Sequence, residues 1–276
     1  MTNRTTTRIP LTTCRRQSLL LLLLSLACGP LPAEAPTAAG QAFDHYAAQL
    51  DSRLATQHLT AATFLALLSP ADQQTLRTGQ PILEEIPGTP RLESAMLHHW
   101  RGTMLVPGTH AADFEQLLRE ISRYPQRFAP QVLSAQVLSA HTNSPSSDRI
   151  STAMRIRQTH ILTVVLDASY ELQFARLDPR HGFCISRSTR VSEVENPGSP
   201  AEHILAPGRE HGYLWRLNTY WSWAETDSGL LIQVETLSLS RAIPHSLAWA
   251  IQPFVSSVPR ESLEFTLRSA SHALTN

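Results

Sequence analysis

The side chains best placed to do chemistry lie in two strand-like runs near the C-terminus. Alternation along 213–223 sets Tyr213, Trp215, Leu217, Thr219, Trp221 and Trp223 on one face, and Leu214, Arg216, Asn218, Tyr220 and Ser222 on the other. The next run sets Ile232, Val234 and Thr236 against Leu231, Gln233, Glu235, Leu237 and Leu239. Asp227-Ser228-Gly229 is a compact turn that pairs the two runs, which allows Arg216 and Glu235 to fall on one face without fixing the register. Such a pair is either a solvated surface salt bridge, worth little, or a device that orients the polar head of a ligand. Arg155, Arg157 and Arg190 pose the same alternative. On an open sheet face they are ordinary, and under a closing helix their guanidiniums bind a carboxylate or phosphate bidentately.

Other chemistries lack their residues. His98 and His99 are adjacent, and in a strand they point to opposite faces, so they do not share a metal ion. No Cys-x-x-Cys or His-Glu-x-x-His spacing occurs with supporting ligands, and no metal or cofactor is expected. There is no Gly-x-Ser-x-Gly elbow, no dinucleotide turn and no phosphate loop. Cys184 sits with His181 in an alternating run and reads as a packed strand thiol. Glu193, Glu195 and Glu235 could act as acid or base only in a closed pocket.

These residues must be positioned by a core, and the composition supplies one. The chain has 276 residues, 42% of them hydrophobic and 17% charged, with 23 basic and 23 acidic side chains and no net charge. Every basic residue is arginine and none cluster, which argues against a nucleic-acid partner.

Residues 1–17 carry four arginines and no acid, and Ser18–Ala27 is an apolar run with six consecutive leucines. That is an export signal, too short for a spanning helix. Two cleavage sites compete. Ser25-Leu26-Ala27-Cys28 resembles a bacterial lipobox, which would make Cys28 a lipidation site and anchor the chain to a membrane. Ala33-Glu34-Ala35 has the small-x-small form of an ordinary signal-peptidase site. The chain thus reads as a signal over 1–28 and a Pro/Ala-rich linker over 29–40. A helical extension over 41–90 and the main domain over 91–276 follow. Either cut leaves Cys184 as the one cysteine of the mature domain, so no internal disulfide forms.

Phe43, Tyr46, Ala47, Leu50 and Leu54 recur at helical spacing, Phe64–Leu68 forms a second short apolar face, and Ser69-Pro70 opens a third helical piece through Arg77. A strand over Ala95–Val106 ends at Pro107-Gly108. Thr109 is placed to cap a helix with Phe114, Leu117, Leu118 and Ile121 on its apolar face, and a short piece around Tyr124 follows. Strands are expected at Val132–His141, Arg149–Gln158, Leu162–Arg176, Phe183–Glu195, Gly212–Glu225 and Leu230–Arg241, then helices at Pro244–Val255 and Pro259–Leu274. Gln131–Ala135 repeats as Gln136–Ala140. Five is odd, so in a regular strand the second copy faces the other way.

The order strand, helix pair, six antiparallel strands and long C-terminal helix resembles the START-like, or helix-grip, fold, an α+β architecture. The stretch from Ser94 to Leu274 is similar to secreted bacterial proteins of that superfamily. The resemblance is carried by Leu105-Val106-Pro107-Gly108, Tyr124-Pro125, Leu162–Asp167, His211–Trp221, Ile243-Pro244 through Val255, and Pro259–Glu264. It implies a curved sheet around the last helix and a hydrophobic or amphipathic small molecule, lipid-like, held between them in an exported protein. Arg155, Arg157, Arg190, Arg216, Asn218, Tyr220, Glu235, Trp249 and Phe254 are the candidate ligand contacts. Two alternatives stand beside that carrier. One is a polyketide-cyclase-like enzyme steering proton transfer with Arg216, Tyr220 and Glu235. The other is a cavity-free interaction module filled by Trp215, Trp221, Trp223 and Trp249.

Overall fold

A computed structural model describes residues 34–144, 147–159, 163–243 and 245–276, without the side chains of 142–147 and 244–256. The leader and the Cys28 lipidation site lie outside the described residues. Among the described residues nine strands form one curved antiparallel sheet. They are β1 (Ile82–Glu85), β2 (Ala95–Val106), β3 (Val132–Ser144), β4 (Ser147–Thr159), β5 (Thr163–Asp178), β6 (His181–Glu195), β7 (His203–Ile204), β8 (Arg216–Thr226) and β9 (Gly229–Arg241). Their order is β1-β2-β9-β8-β6-β5-β4-β3, with β7 paired to β6. The helices are α1 (Thr37–Gln57), α2 (Pro70–Arg77), α3 (Ala111–Arg119), α4 (Tyr124–Arg127) and α5 (His245–Thr275). This is the helix-grip arrangement expected, with a helical N-terminal region.

Period-two patterning makes two faces, each covered in part by a helix. The inner face carries Met104, Trp221, Trp223, Ile232 and Val234 and meets Leu263, Leu267 and Ala270 of α5 and Phe114 of α3. Gly102 lets α5 sit close, since a Cβ there would lie 2.6 Å from Leu267 Cδ1. The outer face carries Leu97, Tyr220, Leu237 and Leu239 and is covered by Ala39, Phe43, Ala47, Leu50 and Leu54 of α1, the helical stripe read from the sequence. Three salt bridges tie α1 to the sheet: Arg216 to Asp44 at 3.0 Å, Arg187 to Asp51 at 2.8 Å, and Arg53 to Glu235 at 2.5 Å.

Several boundaries differ from expectation for local reasons. Phe64–Leu68 is no helix. A single 3-10 turn, Ala61–Thr63, precedes it; Phe64 is buried and Leu67 almost fully exposed. β1 lies inside the stretch read as helical and pairs with β2 from Ile82↔Thr103 to Glu85↔Trp100. His110, not Thr109, is the N-cap of α3: Asp113 accepts from the His110 amide and Glu225 from that of Ala111. β8 starts at Arg216 rather than Gly212, because the amides of His211, Gly212 and Tyr213 donate to the buried Glu193 carboxylate and hold a loop there. The two C-terminal helices are one continuous 31-residue helix, α5. A proline inside it removes one backbone donor, and Pro259 does not end the helix.

Gln131–Ala140 shows a subtler difference. Each copy of the repeat has a bulge between its valine and its serine, at Val132/Ser134 and Val137/Ser139. Five residues of β3 therefore span four of β4. Val132 and Val137 oppose Ile156 and Thr152, two residues of one β4 face, so the copies keep the same facing.

Candidate functional site

The candidate residues divide between the two faces. Tyr220 and Glu235 are register partners on the outer face, and Arg216 opposes Leu239, four residues along β9 from Glu235. Arg216 and Glu235 therefore share a face without pairing. Arg216 binds Asp44 and stacks on the Phe43 ring at 4.8 Å, while Glu235 is claimed by other groups. Both lie under α1, not under α5, so an α5 cavity would not contain them. Asn218 is buried on that same face, its amide donating to Tyr220 Oη at 3.2 Å. Burial pushes the Tyr220 hydroxyl up to about 12.

Glu235 is the centre of a buried polar chain. It accepts from Arg53 of α1 at 2.5 Å and from His99 Nε2 at 2.7 Å, and His99 Nδ1 lies 3.0 Å from Tyr46 Oη. With the ring proton on Nε2, Nδ1 is free to accept from Tyr46, and each ring nitrogen is used. Burial is the largest influence on Glu235 and pushes its carboxyl up. The hydrogen bonds from His99 and Arg53 together outweigh it and hold the carboxyl down at about 2. Beside this chain His58 is stacked between Phe64 and Phe183 and bonded to Ser222 Oγ at 2.8 Å; burial lowers it to about 4. These groups fasten helix to sheet. His98, one residue from His99, lies on the opposite face, as strand geometry requires, and burial lowers its pKa.

On the inner face Thr152 of β4 and Tyr170 of β5 are register partners. Thr152 is fully buried and Tyr170 nearly so, yet neither Oγ1 nor Oη has a hydrogen-bond partner among the described residues. Along β4 and β5 their same-face neighbours by register are the apolar Ile150 with Leu172 and Met154 with Ala168, while on β6 Tyr170 opposes the buried Ser188. Trp100 Nε1, on the inner face of β2, is likewise buried and unpartnered. A buried polar group without a partner costs about 1–3 kcal/mol. Three of them on one mostly apolar face call for a partner that the described residues do not supply. Sequence reasoning missed this set; alternation placed the residues, but which hydroxyls lack partners depends on packing.

Cys184 is buried on the inner face, and burial pushes its thiol up, which keeps it a packing group. Trp221 and Trp223 meet the Phe114 ring edge-on at 5.5 and 5.3 Å and fill the core beside α3. Trp249 and Phe254 fall on α5 where side chains lie outside the description. Among the described residues no group of three potential metal ligands converges, and no helix is long and apolar enough to cross a membrane.

The arginines of β4 and Arg190 of β6 stand on the outer face, beyond α1. Register aligns Ser134, Arg155, Asp167 and Ser192 in one row across β3 to β6, and Gln136, Ala153, Ser169 and Arg190 in the next. Together they floor a half-open groove of about 360 Å³ with Ile204 of β7 at its rim. Arg155 grips Asp167 through two nitrogens at 2.7 and 2.8 Å and Glu202 through a third at 2.7 Å. Arg157, two residues on, is exposed and is not part of the groove.

No protein-family model matches the chain, and no curated protein matches it. Solved structures do. A START superfamily protein from Mycobacterium smegmatis is 11% identical over 66% of this chain and 97% of its own, with a TM-score of 0.39. A STAR-related lipid transfer protein from Xanthomonas axonopodis is 15% identical over 70% of this chain and 99% of its own, at 0.39. The Zhui aromatase/cyclase of a Streptomyces species is 10% identical over 65% of this chain and 94% of its own, at 0.42.

Proposed function

We propose that this protein is an exported binding protein that holds a hydrophobic or amphipathic small molecule between the inner face of the sheet and α5. The observation that carries the reading is the Thr152–Tyr170 pair, two adjacent buried hydroxyls without partners among the described residues, in a mostly apolar setting. An apolar wall with a few polar groups that fix orientation is the usual make-up of a small-molecule site. The ligand class follows: an apolar body with an oxygen or nitrogen function that exchanges hydrogen bonds with the two hydroxyls. Export rests on the basic and then apolar leader over residues 1–28, and attachment to a membrane would follow from lipidation of Cys28.

A carrier fits better than a cyclase-like enzyme. The groups that reading needs, Arg216, Tyr220 and Glu235, are on the outer face and already bound to one another or to α1. The test is native mass spectrometry of the protein from an exporting host, followed by denaturing extraction. A stoichiometric apolar compound released on denaturation is the expected result. A protein that is empty and takes up nothing from a mixed-lipid extract overturns the reading.

A further inference from the structure

The outer-face groove is a second, independent feature. Small side chains make it: Ser134, Ala153 and Ser169 stand where neighbouring positions carry arginines, so the sheet surface dips between Arg155 and Arg190. α1 leaves this part of the sheet uncovered, since its buried residues lie against β2, β8 and β9.

The two arginines are in different states. Arg155 has spent its fork on Asp167 and Glu202, which leaves that trio one negative charge in excess and raises the Arg155 pKa through those hydrogen bonds. Arg190 has not. Its Nε donates to Ser192 Oγ at 3.0 Å, which fixes the plane of the guanidinium, and its terminal nitrogens make no ion pair among the described residues. The carboxylate that feels its charge is Glu210. That carboxyl is raised, first by burial and then by Glu193, while Arg190 pulls it down. An exposed fork oriented through Nε presents two parallel donors to a carboxylate or a phosphate.

The rest of the groove specifies what the anion is attached to. The side chains of Ser134, Gln136 and Ser169 make no hydrogen bond within the protein among the described residues and offer donors and acceptors along the floor. Ile204, 46% exposed, gives an apolar wall. We propose that this groove binds a small hydroxylated organic anion, a sugar acid or a sugar phosphate, with Arg190 on the acidic group and the serines and Gln136 on the hydroxyls. The site is on the face opposite the lipid-like ligand and does not depend on it.

The experiment is isothermal titration of the full mature chain with glucuronate, glucose 6-phosphate and glucose, the first two separating the carboxylate and phosphate forms of the same chemistry. At least one anion should bind about tenfold or more tighter than glucose, and Arg190→Gln should weaken it about tenfold. Arg149→Gln, on the same face of β4 but outside the groove, should leave the affinity within about twofold. Circular dichroism confirms that each variant is folded. Three results overturn the proposal: no binding of either anion up to roughly 10 mM, equal binding of glucose, or binding that survives Arg190→Gln.

Discussion

His99 Nε2 lies 2.7 Å from Glu235 Oε2, and both side chains are only 3% exposed. The pair joins β2 to β9, and Arg53 extends it to α1. A charge this deep in the protein is tolerated because each lone pair in use meets a donor. Glu235, read from sequence as a ligand contact or a surface charge, is instead the fastening between the N-terminal helix and the sheet.

Replacing Glu235 with Gln leaves the geometry nearly intact but removes the charge that Arg53 and His99 serve. Breaking a buried pair costs about 3–5 kcal/mol, and the exposure of Arg53 places this one at the lower end. A loss of about 3 kcal/mol lowers the melting temperature of a chain this size by roughly 6–12 °C. Arg53→Met should cost less, because His99 still satisfies the carboxylate. Thermal unfolding of the two variants checks the order.

His58 gives the stability a pH dependence. Its pKa is about 4 in the folded protein against an ordinary value of 6.5, so the unfolded chain binds more protons between those values. The stabilisation is whole above pH 6.5 and is lost as the pH falls towards 4. The full loss is on the order of 3 kcal/mol. His98, also lowered by burial, acts in the same direction. Glu235, held at about 2, adds a second loss only below its ordinary value of 4.5. Urea unfolding at pH 7.5 and pH 5 should show a clear drop, and His58→Gln should flatten it. An unchanged drop in that variant would assign the dependence elsewhere.

Strand alternation made the faces of β2, β4, β5, β8 and β9 legible from sequence, because a residue's facing follows from its parity. Where parity failed, a backbone irregularity intervened. The repeated Gln-Val-Leu-Ser-Ala should reverse its facing every five residues, and a bulge in each copy restores it. Nothing in the residue types announces those bulges. Which side Arg216, Tyr220 and Glu235 occupy was illegible for a different reason. Alternation groups residues on one face but does not say which helix covers that face; that depended on α1 lying across the outer surface. The polar groove was hidden for a related reason: Ser134 and Arg190 are far apart in sequence and are brought together by register across four strands.

Gly102 sets how closely α5 approaches the sheet. Alanine there would put a methyl group 2.6 Å from Leu267 Cδ1 and 3.2 Å from Leu263 Cγ, both buried. Overpacking of this kind costs about 1–3 kcal/mol. The double variant Gly102→Ala with Leu267→Ala should lose less than the sum of its parts, since the second change clears space for the first. Additive losses in a thermal double-mutant cycle would mean that the two residues do not meet.

Tyr170→Phe and Thr152→Val each delete a buried hydroxyl that has no partner among the described residues. In protein stripped of ligand, each should therefore leave stability unchanged or raise it by about 1 kcal/mol, the reverse of a normal core substitution. In protein purified with its ligand the sign should change. If the ligand satisfies the hydroxyls, deletion weakens binding, and ligand-linked stabilisation falls with the affinity. The measurement is the melting temperature of the wild type and the double variant, before and after extraction of bound material with organic solvent and refolding. A double variant that is more stable than wild type when stripped, and less stable when loaded, places the ligand against these two side chains. A double variant destabilised in both states would mean that the hydroxyls are bonded within the protein, and the reading that rests on them would fall.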